Sequence, residues 1–128
     1  MISFRESPVD APDAHELVAS YFASRARTFP PELGAYLPTF PKPADFFRPL
    51  GVFLVVDEDG VPIGCGGVRT LLVGRLEIKH LWIEPRAQGR GHGRRLLAEL
   101  ERIAVDLGAT ELVLDTNASL AAAGGLYQ

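Results

Sequence analysis

Seven consecutive residues, Gln88-Gly89-Arg90-Gly91-His92-Gly93-Arg94, interleave three glycines with cations just ahead of an apolar-periodic stretch. Glycines let a backbone take positive φ and approach a ligand closely. In the stretch that follows, Leu96, Leu97, Leu100, Ile103, Ala104 and Leu107 share one stripe, while Glu99, Glu101, Arg102 and Asp106 lie off it. That spacing predicts a helix over Gly93–Leu107, closed by Gly108. The first turn of a helix carries N–H groups with no intrahelical partner, at the positive end of its dipole. A glycine run feeding such a turn is an anion cradle suited to phosphate. Arg86, Arg90, Arg94 and Arg95 add positive field around it. Two familiar phosphate loops do not fit. A P-loop ends in Gly-Lys-Ser/Thr, whereas Gly93 is followed by Arg94-Arg95. A dinucleotide fingerprint reads G-x-G-x-x-G in the first β-α turn, whereas this run reads G-x-G-x-G after several predicted strands. A purely structural glycine turn is the other reading.

The elements that must position this run are legible on either side. Ile2–Glu6 reads as a first strand. Asp10 is the expected cap of a helix with Pro12 in its first turn, and Ala14, Leu17, Val18, Tyr21 and Phe22 give that helix one apolar face. The proline-rich segment from Phe29 to Pro49 predicts a loop with at most a turn or two of helix, which either lines a site or simply crosses the surface. Val52–Val56, Ile63–Leu72 and Leu76–Ile83 read as a meander, with turns at Asp57–Gly60 and Gly74. Gly64, Gly66 and Gly67 within the second of these strands predict a bulge or a close backbone approach. Pro85 ends the meander. Glu111–Asp115 reads as a last strand and the alanine-rich Ala118–Tyr127 as a helix. The order predicts a mixed α/β sheet with helices on its faces, the strand before Pro85 running parallel to Glu111–Asp115 through a right-handed crossover.

The bulk properties agree with one small α/β domain over residues 1–128. Apolar residues make up 47% and charged residues 23%, and the net charge of −3 argues against a broad nucleic-acid footprint. One cysteine, Cys65, excludes an internal disulfide. The N-terminus does not read as a signal peptide and no apolar run is long enough to span a bilayer, so a cytoplasmic, non-membrane protein is expected.

Ile78–Leu97, IKHLWIEPRAQGRGHGRRLL, resembles the signature of the GNAT superfamily of acetyl-CoA-dependent N-acetyltransferases. That signature is a strand, a proline-containing loop, Q/R-x-x-G-x-G/A, and a leucine pair on the helix; Gln88, Gly91 and Gly93 fill its positions. The likeness extends upstream through Gly51–Leu72 and downstream through LDTNASLAAAGGLYQ. The resemblance implies an acyl-CoA N-acyltransferase fold, a central twisted mixed sheet flanked by helices. It implies acetyl-CoA as cosubstrate, with no metal, and an acetyl group moved directly to the primary amine of a small molecule. It also implies that the main chain of Gln88, Gly89, Arg90, Gly91, His92, Gly93 and Arg94 holds the pyrophosphate. Leu81, Trp82 and Ile83 would receive the pantetheine arm as an added strand, because that arm's two amides match the N–H and C=O groups of a strand edge.

An ammonium has no lone pair, so the reaction needs a proton acceptor. Glu77 stands where family members often carry this base, acting directly or through water; the other reading is an exposed carboxylate or an ion pair with Lys79. Tyr127 matches the tyrosine that protonates the departing thiolate, and Asn117 a position that often contacts the cofactor or caps a helix. His80 reads as a sheet-face residue toward substrate or core, His92 as solvated at the cofactor rim, and Cys65 as buried and inert. After Tyr127 the family continues with two more strands that are not expected here. The chain is then a shortened version, is completed by a partner through an open sheet edge (a homodimer being one form), or keeps only acyl-CoA binding as a catalytically weak interaction module.

Overall fold

The computed structural model describes residues 1–114. Asp115, Asn117, Tyr127 and the expected C-terminal helix lie outside the described residues. The elements follow the predicted order. They are β1 (Ile2–Glu6), α1 (Pro12–Thr28), two single helical turns at Pro31–Leu33 and Pro43–Phe46, β2 (Gly51–Glu58), β3 (Val61–Leu72), β4 (Arg75–Ile83), a short turn at Pro85–Ala87, α2 (His92–Asp106) and β5 (Glu111–Leu114). The sheet runs β1-β2-β3-β4-β5, antiparallel up to β4, and β5 joins β4 in parallel as expected of a β-α-β crossover.

Local chemistry explains the joints. β2 and β3 are linked through Asp59 and Gly60, both at positive φ (50° and 83°), the conformation a tight hairpin needs. Pro12 starts α1, where a missing N–H costs nothing. Asp10 is not its cap. Ala11 holds that position and makes no side-chain bond, while the Asp13 carboxylate accepts the Ala14 N–H at 2.8 Å. α2 begins at His92, one residue earlier than its apolar spacing suggests, after Gly91 in the left-handed region. Gly108, at φ 100°, follows its last turn.

Each helix covers one face of the sheet. Leu96, Leu97, Leu100, Ile103 and Ala104 of α2 pack on Val52, Leu54, Val56, Ile78, Leu81 and Ile83. Leu17, Val18, Tyr21 and Phe22 of α1 pack on Phe46, Phe53, Val55, Cys65 and Trp82. The glycines of β3 permit close approach. A Cβ on Gly66 would lie 2.9 Å from Leu100, and one on Gly67 2.7 Å from the Phe46 ring. One register shift lies beside Gly64, where Val56 pairs with Gly64 but Asp57 with Pro62, so that Ile63 is an extra residue on β3; another lies across from Gly66, on β4. Cys65 pairs with Trp82 but Gly67 with Lys79, so β4 carries one extra residue there. That residue is His80, a histidine held at φ 58°. Because of it, Lys79 and His80 both face the α1 side, and Leu81 returns to the α2 side.

Candidate functional site

A cleft of about 320 Å³ opens where the end of β4 meets the start of α2. Its walls are Leu81, Trp82, Ile83, Ala87, Gln88, Gly89, Gly91, His92 and Gly93. The structure thus brings eight of the eleven expected cofactor-binding residues to one cavity, and Arg90 and Arg94 adjoin them in sequence. Gly89 (φ 81°) and Gly91 (φ 84°) are left-handed and exposed, with nothing within 4 Å of where a Cβ would stand. Their glycine identity is therefore conformational. Arg95 is the residue whose N–H reaches back to the Gly91 carbonyl, at 3.2 Å. The N–H groups of His92, Gly93 and Arg94 precede that bond and lie at the positive end of the α2 dipole. On the strand side, β5 pairs with β4 only over Arg75–Ile78 among the described residues. The stretch Lys79–Ile83 keeps its β5-facing edge clear of strand pairing within that set. A bare helix start beside a strand edge can take an anion and an amide-bearing chain together.

The side chains around this cavity behave differently from its backbone. Gln88 donates its amide to the Ile83 carbonyl at 2.8 Å and so ties the loop to the strand end. Arg90 turns away to grip Glu58 of β2 through two bonds of 2.9 and 3.0 Å. Arg86 pairs with Glu84 at 2.6 Å. His92 is not solvated: it is buried, neither ring nitrogen has a hydrogen-bond partner among the described residues, and Nε2 lies 3.9 Å from Glu58. The earlier start of α2 is the reason. His92, Leu96 and Leu100 are spaced by four residues and share the sheet-facing stripe.

On the α1 side, Glu77 stands directly opposite Arg69 of β3. Arg69 Nε and Nη2 each lie 3.0 Å from Glu77 Oε1, and Arg69 Nη1 lies 3.8 Å from Asp45. Glu77 is thus paired with a cross-strand arginine. Cys65 is buried, its thiol pushed up by desolvation, and it donates to the His80 carbonyl at 3.4 Å. Among the described residues no group of three or more metal-ligating side chains converges, and no helix is long and apolar enough to cross a membrane.

His80 is the residue whose position spacing alone does not disclose. Its ring stands 5.6, 5.7 and 5.8 Å from the rings of Tyr21, Phe22 and Phe46. Burial first, then the charges of Lys79, Arg69 and Arg25, push its pKa down from 6.5 to about 4. The unfolded chain then binds more protons than the folded one between pH 6.5 and 4, so stability falls as pH drops through that window. We expect acidification from pH 7.5 to 5 to remove up to about 2 kcal/mol through this residue alone. Urea midpoints of the native chain and of His80→Asn, which stays neutral, should diverge accordingly. Parallel pH curves would show that His80 does not titrate differently on folding.

Comparison with known proteins follows the same lines. Residues 13–128 match the model of the Acetyltransferase (GNAT) family. An IAA acetyltransferase of Azospirillum brasilense is 35% identical over 77 residues, 59% of this chain and 50% of that protein. The chain spans about half the length of the curated relatives it matches, 50% for each of two. A protein assigned as an acyl-CoA N-acyltransferase from Klebsiella pneumoniae superposes with TM-score 0.73 at 25% identity, over 98% of this chain and 79% of that one. A GNAT acetyltransferase of Elizabethkingia anophelis, solved with acetyl-CoA bound, shares the fold with TM-score 0.65 at 21% identity, over 99% and 72%.

Proposed function

Since the chain belongs to the acetyltransferase (GNAT) family, we propose that it transfers an acetyl group from acetyl-CoA directly to the primary amine of a small molecule. The observation that carries this reading is the cleft itself, in which the start of α2 and the end of β4 adjoin. Its residues fit the cosubstrate. Gly89–Arg94 offer main-chain donors to a diphosphate, and the Leu81–Ile83 edge offers alternating N–H and C=O groups to two amides. Trp82 and Ile83 supply apolar walls. Bound there, acetyl-CoA supplies an acyl carbon with a stable thiolate as leaving group.

The protein's own task is to align the amine and to take its proton. Glu77 is the carboxylate candidate on β4, and both of its contacts with Arg69 fall on Oε1. We expect Glu77→Gln to lower turnover tenfold or more, within the range for loss of a general base or of the group that holds Arg69. Acetyl-CoA binding, read as a thermal shift, should be retained. Tyr127 is the proposed acid toward the thiolate, tested by Tyr127→Phe in the same assay. The reaction itself is tested by thiol release from acetyl-CoA with a panel of amines. If coenzyme A protects the fold but no amine raises turnover, the chain is an acyl-CoA-binding module instead. Protection by NAD or ATP rather than coenzyme A would overturn both readings. A cytoplasmic location and pairing of two copies through a sheet edge belong to the same proposal, the latter testable by light scattering.

A further inference from the structure

A second cleft, of about 170 Å³, opens on the α1 face between residues Thr39–Phe46 and strands β3 and β4. Phe40, Lys42, Asp45, Arg69, Lys79 and His80 are among its walls. Its volume is many times the roughly 10–15 Å³ that a cavity needs to hold one water, and leaves room for an acceptor of amino-acid size. The two clefts are lined by consecutive residues of β4, His80 in this one and Leu81 in the other. His80 is 6% exposed, and its Nδ1 has no hydrogen-bond partner among the described residues. A buried ring nitrogen left unpaired by its own protein is unfavourable unless something else pairs with it. Three lining side chains are cationic, Lys42, Arg69 and Lys79, against one carboxylate, Asp45. Glu77, bonded to Arg69, adds a second carboxylate.

We propose, building on the acetyl-transfer reading, that this cleft takes a small amine bearing a carboxylate. Its amine meets the His80 imidazole and its carboxylate lies against Lys42, Arg69 and Lys79. The imidazole accepts one proton from the acceptor ammonium and passes it to solvent. The freed nitrogen pair forms the C–N bond as the thioester C–S bond breaks, the electrons leave on sulfur, and the second amine proton goes to that thiolate. Glu77 then positions Arg69. Among the described residues, the titratable and charged groups around His80 are Tyr21 and Arg25 of α1, Lys42 and Asp45 of the loop, Arg69 of β3 and Lys79 of β4, with Glu77 bonded to Arg69. Burial first, and then the cations Lys79, Arg69 and Arg25, disfavour protonation of His80. An acceptor carboxylate offsets those cations and raises the basicity of the imidazole when the base is needed. The carboxylate therefore acts on kcat as well as on binding.

The test is steady-state kinetics with amino acids and their carboxamides, on the native chain, His80→Asn and Lys42→Ala, with acetyl-CoA thermal shifts alongside. Asparagine tolerates left-handed φ better than most residues and so preserves the bulge. We expect the acids to exceed their amides at least tenfold in kcat/KM, with part of the gain in kcat. His80→Asn should lower kcat about 100-fold and abolish its acid limb, with acceptor KM and the acetyl-CoA shift held within about threefold. Lys42→Ala should raise KM for the acids only. Equal rates for acid and amide, or a native kcat and pH profile in His80→Asn, would overturn this inference while leaving acetyl transfer intact. Absence of turnover with every amine, with coenzyme A still bound, would overturn acetyl transfer and this inference together.

Discussion

Gly64→Ala is expected to destabilise the protein by about 3 kcal/mol, at the upper end of what overpacking a core costs. The added methyl would stand 2.6 Å from the Trp82 carbonyl oxygen and 2.6 Å from Ile83 Cδ1. The isoleucine tip can rotate aside, but the carbonyl belongs to the strand paired with Gly64. Relief therefore requires β3 and β4 to separate beside the first cleft. Gly67→Ala is the control. Its methyl meets the Phe46 ring at 2.7 Å and Phe53 Cδ1 at 3.0 Å, which are side chains that can shift. It should cost less than half as much and disturb the acceptor face, since Phe46 also packs on His80. Urea unfolding reads both: with a slope of about 1–3 kcal/mol/M, the Gly64→Ala midpoint should fall by about 1–3 M. A drop no larger than that of Gly67→Ala would mean that the strands do not meet in the described register.

The contrast between these two glycines also shows what the sequence discloses and what it withholds. Periodicity placed α2 against the sheet because six apolar residues at helical spacing admit one face and no other. The Asp59-Gly60 turn was equally visible, since few residue pairs accept positive φ twice in succession. Register is a different matter. Nothing along the chain says that Arg69 sits opposite Glu77, because strand pairing depends on turn length and bulges together. The glycines of β3 announce the register shift beside Gly64, whereas the bulge at His80, held at φ 58°, has no glycine of its own to mark it. Across the ladder, the absence of a side chain at Gly66 leaves room on the other face for Leu81 and for Leu100 of α2. The expectation that His92 is solvated at the cofactor rim overlooks the helix that starts there. Counting back by fours from Leu100 through Leu96 would have placed it on the buried stripe. In the first cleft the groups proposed to bind are main-chain atoms, so glycine pattern and helix onset suffice to locate them. In the second cleft the proposed groups are side chains from the loop, β3 and β4, and only folding brings those together.

Gly91→Val should weaken coenzyme A binding at least 100-fold. Gly91 sits at φ 84° and ψ 6° immediately before α2. A left-handed conformation costs an ordinary L-residue roughly 1–2 kcal/mol, and a β-branched one more. The variant has two ways to respond. It can hold the turn and lose stability, or it can leave the left-handed region and re-aim the N–H groups that precede the α2 ladder. A hydrogen bond to a charged group is worth about 1.5–3 kcal/mol, so misdirecting two of them costs about 3–6 kcal/mol of affinity, a factor of at least 100. Gly93→Ala separates conformation from contact. Gly93 already has helical geometry, and an added methyl would meet only Ile83 Cγ1, at an ordinary 3.9 Å. It should leave the fold as stable as before, or up to about 1 kcal/mol more so because alanine favours the helix, while its methyl projects along the cleft wall. Titration calorimetry with coenzyme A on the three chains distinguishes the cases. Native affinity in Gly91→Val, with the fold intact, would mean that the diphosphate docks elsewhere, and the assignment of this cleft to acetyl-CoA would fall with it.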